Sequence, residues 1–140
     1  MNITIVIARF LLGLIFLTFG LNGFLHFLPA SLPSGTAGQF VGALFVSHYL
    51  VAIFLLQLVA AVLLLINRYV PLALTLLAPI IVNILLFHLL MAPSGLALAI
   101  VVTGLWIVAF LSVRSAFTGL FQQRVPVQVP GRITPLYRTT

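Results

Sequence analysis

VPLALTLLAPIIVNILLFHLLM, residues 70–91, decides what kind of chain this is. It holds no charged side chain, and its polar members are Thr75, Asn83 and His88. A helix rises about 1.5 Å per residue and a bilayer's hydrocarbon core is about 30 Å thick, so about 20 apolar residues cross it. The stretch has that length and shows no period-2 alternation, which argues for a membrane-spanning helix and against a barrel strand. Three runs of the same character surround it, at roughly residues 3–28, 40–66 and 96–117, the second long enough to include an interfacial lead-in. The fold expected is therefore all-α: a transmembrane four-helix bundle.

The breaks between the runs carry turn chemistry. Pro29, Pro33 and Gly35 close the first, and Asn67-Arg68-Tyr69-Val70-Pro71 forms a tight turn. Pro71 suits the first turn of the next helix, where its missing N–H has no partner to lose. Pro93-Ser94-Gly95 separates the last two runs. Pro79 lies inside the third, where a kink is expected. The first run opens without Lys or Arg and exceeds the 7–15 or so apolar residues of a secretory leader, so it reads as a span.

Composition agrees with lipid as the solvent. The 140 residues are 64% hydrophobic and 4% charged, too apolar for so short a chain to bury in water. There are six Arg and no Lys, Asp, Glu or Cys. The missing carboxylates exclude paired-carboxylate catalysis, carboxylate-lined Mg²⁺ or Ca²⁺ sites and acidic proton relays. The missing thiols exclude disulfide, thiolate-metal and iron–sulfur chemistry. A net charge of +6 would suggest nucleic acid in a soluble protein, but the Arg stand singly between apolar runs, so anionic lipid is the better partner.

The Arg also give an orientation. Arg9 lies near the start of the first run, Arg68 in the second connection, and Arg114, Arg124, Arg132 and Arg138 at or after the end of the fourth. With four spans all six fall on one side, which the positive-inside rule makes cytoplasmic, with both termini there. Arg9 and Arg114 are expected to snorkel to the headgroups, and the six as a group to meet lipid phosphates or a partner. Residues 1–121 form the transmembrane domain. Residues 122–140, rich in Pro and lacking helical pattern, read as an extended cytoplasmic tail.

Polar groups in lipid turn toward protein, because an unpaired one costs several kcal/mol. With the first and third spans centred near Ile15 and Ile80, Asn22 lies about 10 Å and His88 about 12 Å above the midplane. His26 and His48 reach the outer interface. Gln57 and Asn83 form a deeper layer, about 5 Å from the centre, and are expected to bond each other or the carbonyl freed by Pro79. Asn22, His26 and His88 are expected to turn inward and approach one another. Together with His48 they could hydrogen-bond a small ligand such as a quinone, or ligate a metal or haem. The alternative is interhelical hydrogen bonding alone. No His spacing matches a dedicated metal motif. Gly13, Gly20, Gly23, Ala60, Ala61, Gly104 and Ala109 are expected to let helices approach closely, and Gly38-x-x-x-Gly42 matches a helix-approach motif.

Two segments resemble the DoxX family of small bacterial membrane proteins: ARFLLGLIFLTFGLNGFLHF at 8–27 and NRYVPLALTLLAPIIVNILLFH at 67–88. The second is the more specific, since hydrophobicity does not force its Arg, Pro, Asn and His. The resemblance, over about residues 7–121, implies a four-helix bundle of the bacterial inner membrane linked to redox metabolism. One member of the family is a subunit of a thiosulfate:quinone oxidoreductase. Relatives often carry an acidic residue near the position of Gln57. Three functions remain in view: an accessory, non-catalytic or redox-associated subunit of a larger membrane complex, a quinone-linked oxidoreductase membrane subunit, and a small-molecule transporter. Other membrane subunits or self-association are the partners implied.

Overall fold

The computed structural model describes residues 2–29, 31–121 and 123. The Pro-rich tail, with Arg124, Arg132 and Arg138, therefore lies outside the described residues. The described residues form five α-helices and two 3-10 segments: α1 (Ile3–Leu25), α2 (Gly35–Val46), α3 (Tyr49–Leu65), α4 (Val70–Leu90), a single turn Pro93–Gly95, α5 (Leu96–Val113) and a 3-10 run Arg114–Phe121. Helices α1, α4 and the α5 region are each long and apolar enough to cross a membrane, and α2 with α3 makes a fourth candidate if the bent pair is one span.

α1, α3, α4 and α5 pack in a ring in which each touches two neighbours, α1 lying most extensively along α3. α2 stands outside the ring against α3. The seam of α1 and α3 is closed by small residues. A β-carbon at Gly13 would lie 3.3 Å from the Ala61 carbonyl oxygen, and Ala60 and Ala61 are fully buried. Around that seam Leu12, Phe16, Leu64, Leu74, Leu77 and Val102 form the core. The outer surface is apolar as well: Phe10, Leu55, Val59, Val82, Ile100 and Val101 are each about half exposed or more. Chains in water keep such contiguous patches small, so this surface matches acyl chains.

The second apolar run departs from a single straight span. It breaks at Ser47-His48, and α2 and α3 meet at 84°. His48 takes the left-handed conformation (φ 59°), which turns the backbone out of the α2 path, while the Ser47 hydroxyl bonds the Leu44 carbonyl. A left-handed non-glycine residue costs about 1–2 kcal/mol, so sequence pattern alone favours continuing the helix. The 17 residues of α3 still rise about 26 Å, near the lower limit for a crossing.

The other junctions follow the turn chemistry more closely. α3 ends in a Schellman arrangement: Arg68 N–H bonds the Leu63 carbonyl and Asn67 N–H the Leu64 carbonyl. Asn67 holds the left-handed position (φ 54°) that glycine usually takes. α4 runs unbroken through Pro79. α5 is pinned to α4 by the Trp106 indole, which donates to the Leu74 carbonyl at 3.0 Å.

Candidate functional site

Four helices leave a cavity of about 440 Å³ between them. α1 supplies Phe16, Phe19 and Asn22, α3 supplies Phe54 and Gln57, α4 supplies His88, and α5 with its leading turn supplies Ala99 and Gly95. The volume is that of an ordinary small-ligand site: mostly apolar, with a few polar groups. Small residues let two of its lining rings sit against the backbone. Gly23 faces the Phe54 ring so closely that a β-carbon there would overlap it, and a β-carbon at Gly95 would overlap the His88 imidazole.

A second, neighbouring cavity of about 380 Å³ lies in the angle between α2, α3 and α4. It shares Phe54, Gln57, Ile84 and His88 with the first, so these side chains form the wall between the two. Phe40 of α2 stacks on Phe87 at 6.0 Å, and Phe87 meets the His88 ring edge-on at 5.2 Å. The bent α2 thereby reaches the site through a chain of rings.

The polar groups are unequally satisfied. Gln57 is 6% exposed, and its Oε1 is buried with no hydrogen-bond partner among the described residues. Such an orphan is rare in folded proteins and calls for an explanation. His88 Nδ1 lies 2.8 Å from the Ala92 carbonyl oxygen, two residues beyond the end of α4. Asn22 Oδ1 accepts the Leu28 N–H at 2.6 Å, tying down the chain that leaves α1.

The expected residues are thus sorted into different places. Asn22, Gln57 and His88, expected in two layers, line one cavity. His26 does not join them. It takes the left-handed position (φ 51°) after α1 and is exposed. His48 is exposed at the α2–α3 bend. Asn83 lines the second cavity from an exposed position, and the expected bond between Gln57 and Asn83 is not formed. Helical spacing sorted these residues into layers by depth, but rotation about each helix axis decides which cavity a side chain enters. Among the described residues no three metal-ligating side chains gather.

Because Oε1 has no partner, Gln57→Leu is expected to stabilise the ligand-stripped bundle by about 1 kcal/mol, the reverse of what a buried interhelical bond would give. Thermal unfolding in detergent reads this directly: a lowered Tm in the variant would show that Gln57 is bonded after all.

Arg9 departs furthest from expectation. Its side chain turns into the bundle rather than outward: it is 8% exposed. Its Nη1 donates to Asn67 Oδ1 and its Nη2 to Ser112 Oγ, each at 2.8 Å. The Ser112 hydroxyl donates onward to the Ala109 carbonyl. One guanidinium thus joins α1, the α3–α4 turn and the end of α5. Arg68 and Arg114 are exposed. The signal for this cluster lay in Asn67, a polar residue in a turn that also tolerates glycine, but nothing in spacing linked it to Ser112.

Comparison with protein-family models, curated proteins and solved structures finds no match.

Proposed function

We propose that this chain is a DoxX-like integral membrane protein that binds a small apolar molecule within its helix bundle and acts as an accessory subunit of a larger membrane assembly. The observation that carries the ligand reading is Gln57, a residue that lines the 440 Å³ cavity and whose buried Oε1 finds no partner among the described residues. A bundle built only for packing would satisfy that group or replace it with leucine. Asn22 and His88 border the same space, so a ligand's polar head has three side chains to choose from. With no Asp, Glu or Cys, the chain has little acid–base or redox chemistry of its own, which supports action through a partner. The half-exposed apolar surface supports lipid and other membrane subunits as its surroundings.

In this reading the protein lies in the bacterial inner membrane with both termini cytoplasmic. Arg9, Asn67, Arg68 and Arg114 belong to one end of the bundle, supporting the positive-inside orientation. α3 makes the second crossing and α2 lies in the outer interface. A reporter fused after Thr140 is expected to be active only in the cytoplasm, and one inserted at Ser34 only outside. Periplasmic activity of the C-terminal fusion would sink this topology.

The ligand reading is tested by gentle detergent extraction, followed by mass spectrometry of what organic solvent releases. A single apolar species is expected at about one molecule per chain. His88→Ala should lose it while the bundle stays folded. A wild-type protein that releases only bulk lipid would overturn the reading.

A further inference from the structure

We propose that the cavity selects a molecule with an apolar, aromatic-sized body and a hydroxyl head that donates a hydrogen bond, and discriminates against the same body carrying only an acceptor. This rests on the ligand-binding reading above and adds the chemistry of the head group.

The donors and acceptors around the cavity are unequally used. A carbonyl can only accept, so the Ala92 carbonyl requires the hydrogen of His88 to sit on Nδ1. In the neutral ring that leaves Nε2 with a lone pair, and no described group bonds it. Gln57 Oε1 is a second unfilled acceptor, and it is buried. Asn22 has spent its oxygen on the Leu28 N–H, so its amide hydrogens remain to donate. The residues lining the cavity therefore carry two unfilled acceptors and a free donor. A hydroxyl matches that set, since it donates to one acceptor while accepting from Asn22. An ether or ketone can accept from Asn22 but leaves both acceptors unfilled in an apolar space, which is the costly outcome.

The match survives reversal of the Gln57 amide. With its nitrogen in the buried position Gln57 would need an acceptor, which a hydroxyl oxygen also provides, and His88 Nε2 would still need a donor. The remaining walls set the body. Phe16, Phe19 and Phe54 are aromatic, and among the described residues no charged side chain lines the cavity, so a carboxylate or ammonium head finds no counter-charge among them.

The test uses a matched pair of probes, 4-hexylphenol and 4-hexylanisole, in which the phenolic oxygen carries either a hydrogen or a methyl group. Binding is measured by calorimetry on the full chain in lipid nanodiscs, after solvent stripping and with empty nanodiscs subtracted. The wild type is expected to bind the phenol about tenfold more tightly than the ether. Gln57→Leu and His88→Phe should each narrow the ratio, by weakening the phenol and by sparing the ether a stranded acceptor. If the two probes bind equally, the donor requirement is wrong and the cavity remains a ligand site. If the ratio survives in both variants, Gln57 and His88 are not its source and the assignment is overturned. If neither probe binds, the ligand reading falls with it.

Discussion

Arg9→Leu is expected to destabilise the bundle by about 3 kcal/mol, the largest effect of any single polar substitution in this chain. The guanidinium is buried and makes two short bonds, to Asn67 Oδ1 and Ser112 Oγ, that join three segments distant in sequence. Each hydrogen bond to a charged group contributes about 1.5–3 kcal/mol, and the variant also strands two acceptors. Thermal or denaturant unfolding in detergent measures the loss. Arg9→Lys should recover less than half of it, because an ammonium is a point charge and cannot span both partners as a planar fork does. Asn67→Gly separates the two roles of that residue: glycine keeps the left-handed turn but cannot accept from Arg9, so the helix end survives while about half the stabilisation goes. An Arg9→Leu protein as stable as wild type would mean that the guanidinium reaches the headgroups and the network carries nothing.

Ala99→Phe is expected to lower retention of the bound molecule on the order of a hundredfold while leaving the bundle folded. Ala99 is 2% exposed on the cavity wall, and a phenyl group there would occupy the space beside Phe16 and His88. Filling an existing void adds packing contacts, so the melting temperature should hold or rise, which separates this variant from one that simply misfolds. Retention is read by mass spectrometry of solvent extracts. Undiminished retention in a folded variant would place the ligand elsewhere, with the neighbouring cavity against α2 the next candidate.

Much of the fold was legible because hydrophobicity along the chain is a one-dimensional property. The bounds of α1, α4 and α5 follow the three apolar runs closely, and Asn67, Pro71 and Pro93 mark turns where they stand. The α2–α3 break was legible only as excess length, enough for an interfacial lead-in; its position and angle were not. The run from 40 to 66 has neither proline nor charge at Ser47-His48, and the bend depends on how α2 packs its Phe40 on Phe87 of another helix. The site was legible in kind but not in membership. Asn22, Gln57 and His88 stood out as polar groups in apolar runs, yet so did His26, His48 and Asn83, which lie exposed.

The sequence by itself determined the solvent-facing character, the number of long apolar segments and the chemistry the chain lacks, since these depend on composition and on local length against about 1.5 Å of rise per residue. Only the tertiary structure decided that Arg9 is buried between Asn67 and Ser112, that Gln57 has no partner, and that Asn22 and His88 share a cavity with it. Those outcomes depend on the rotation of each helix about its axis. In a protein folded in water, the contrast between a helix's apolar stripe and its polar face sets that rotation. Here both faces of every helix are apolar, so the angle is set by where Gly13, Gly20, Gly23 and the buried alanines of α3 allow backbones to meet.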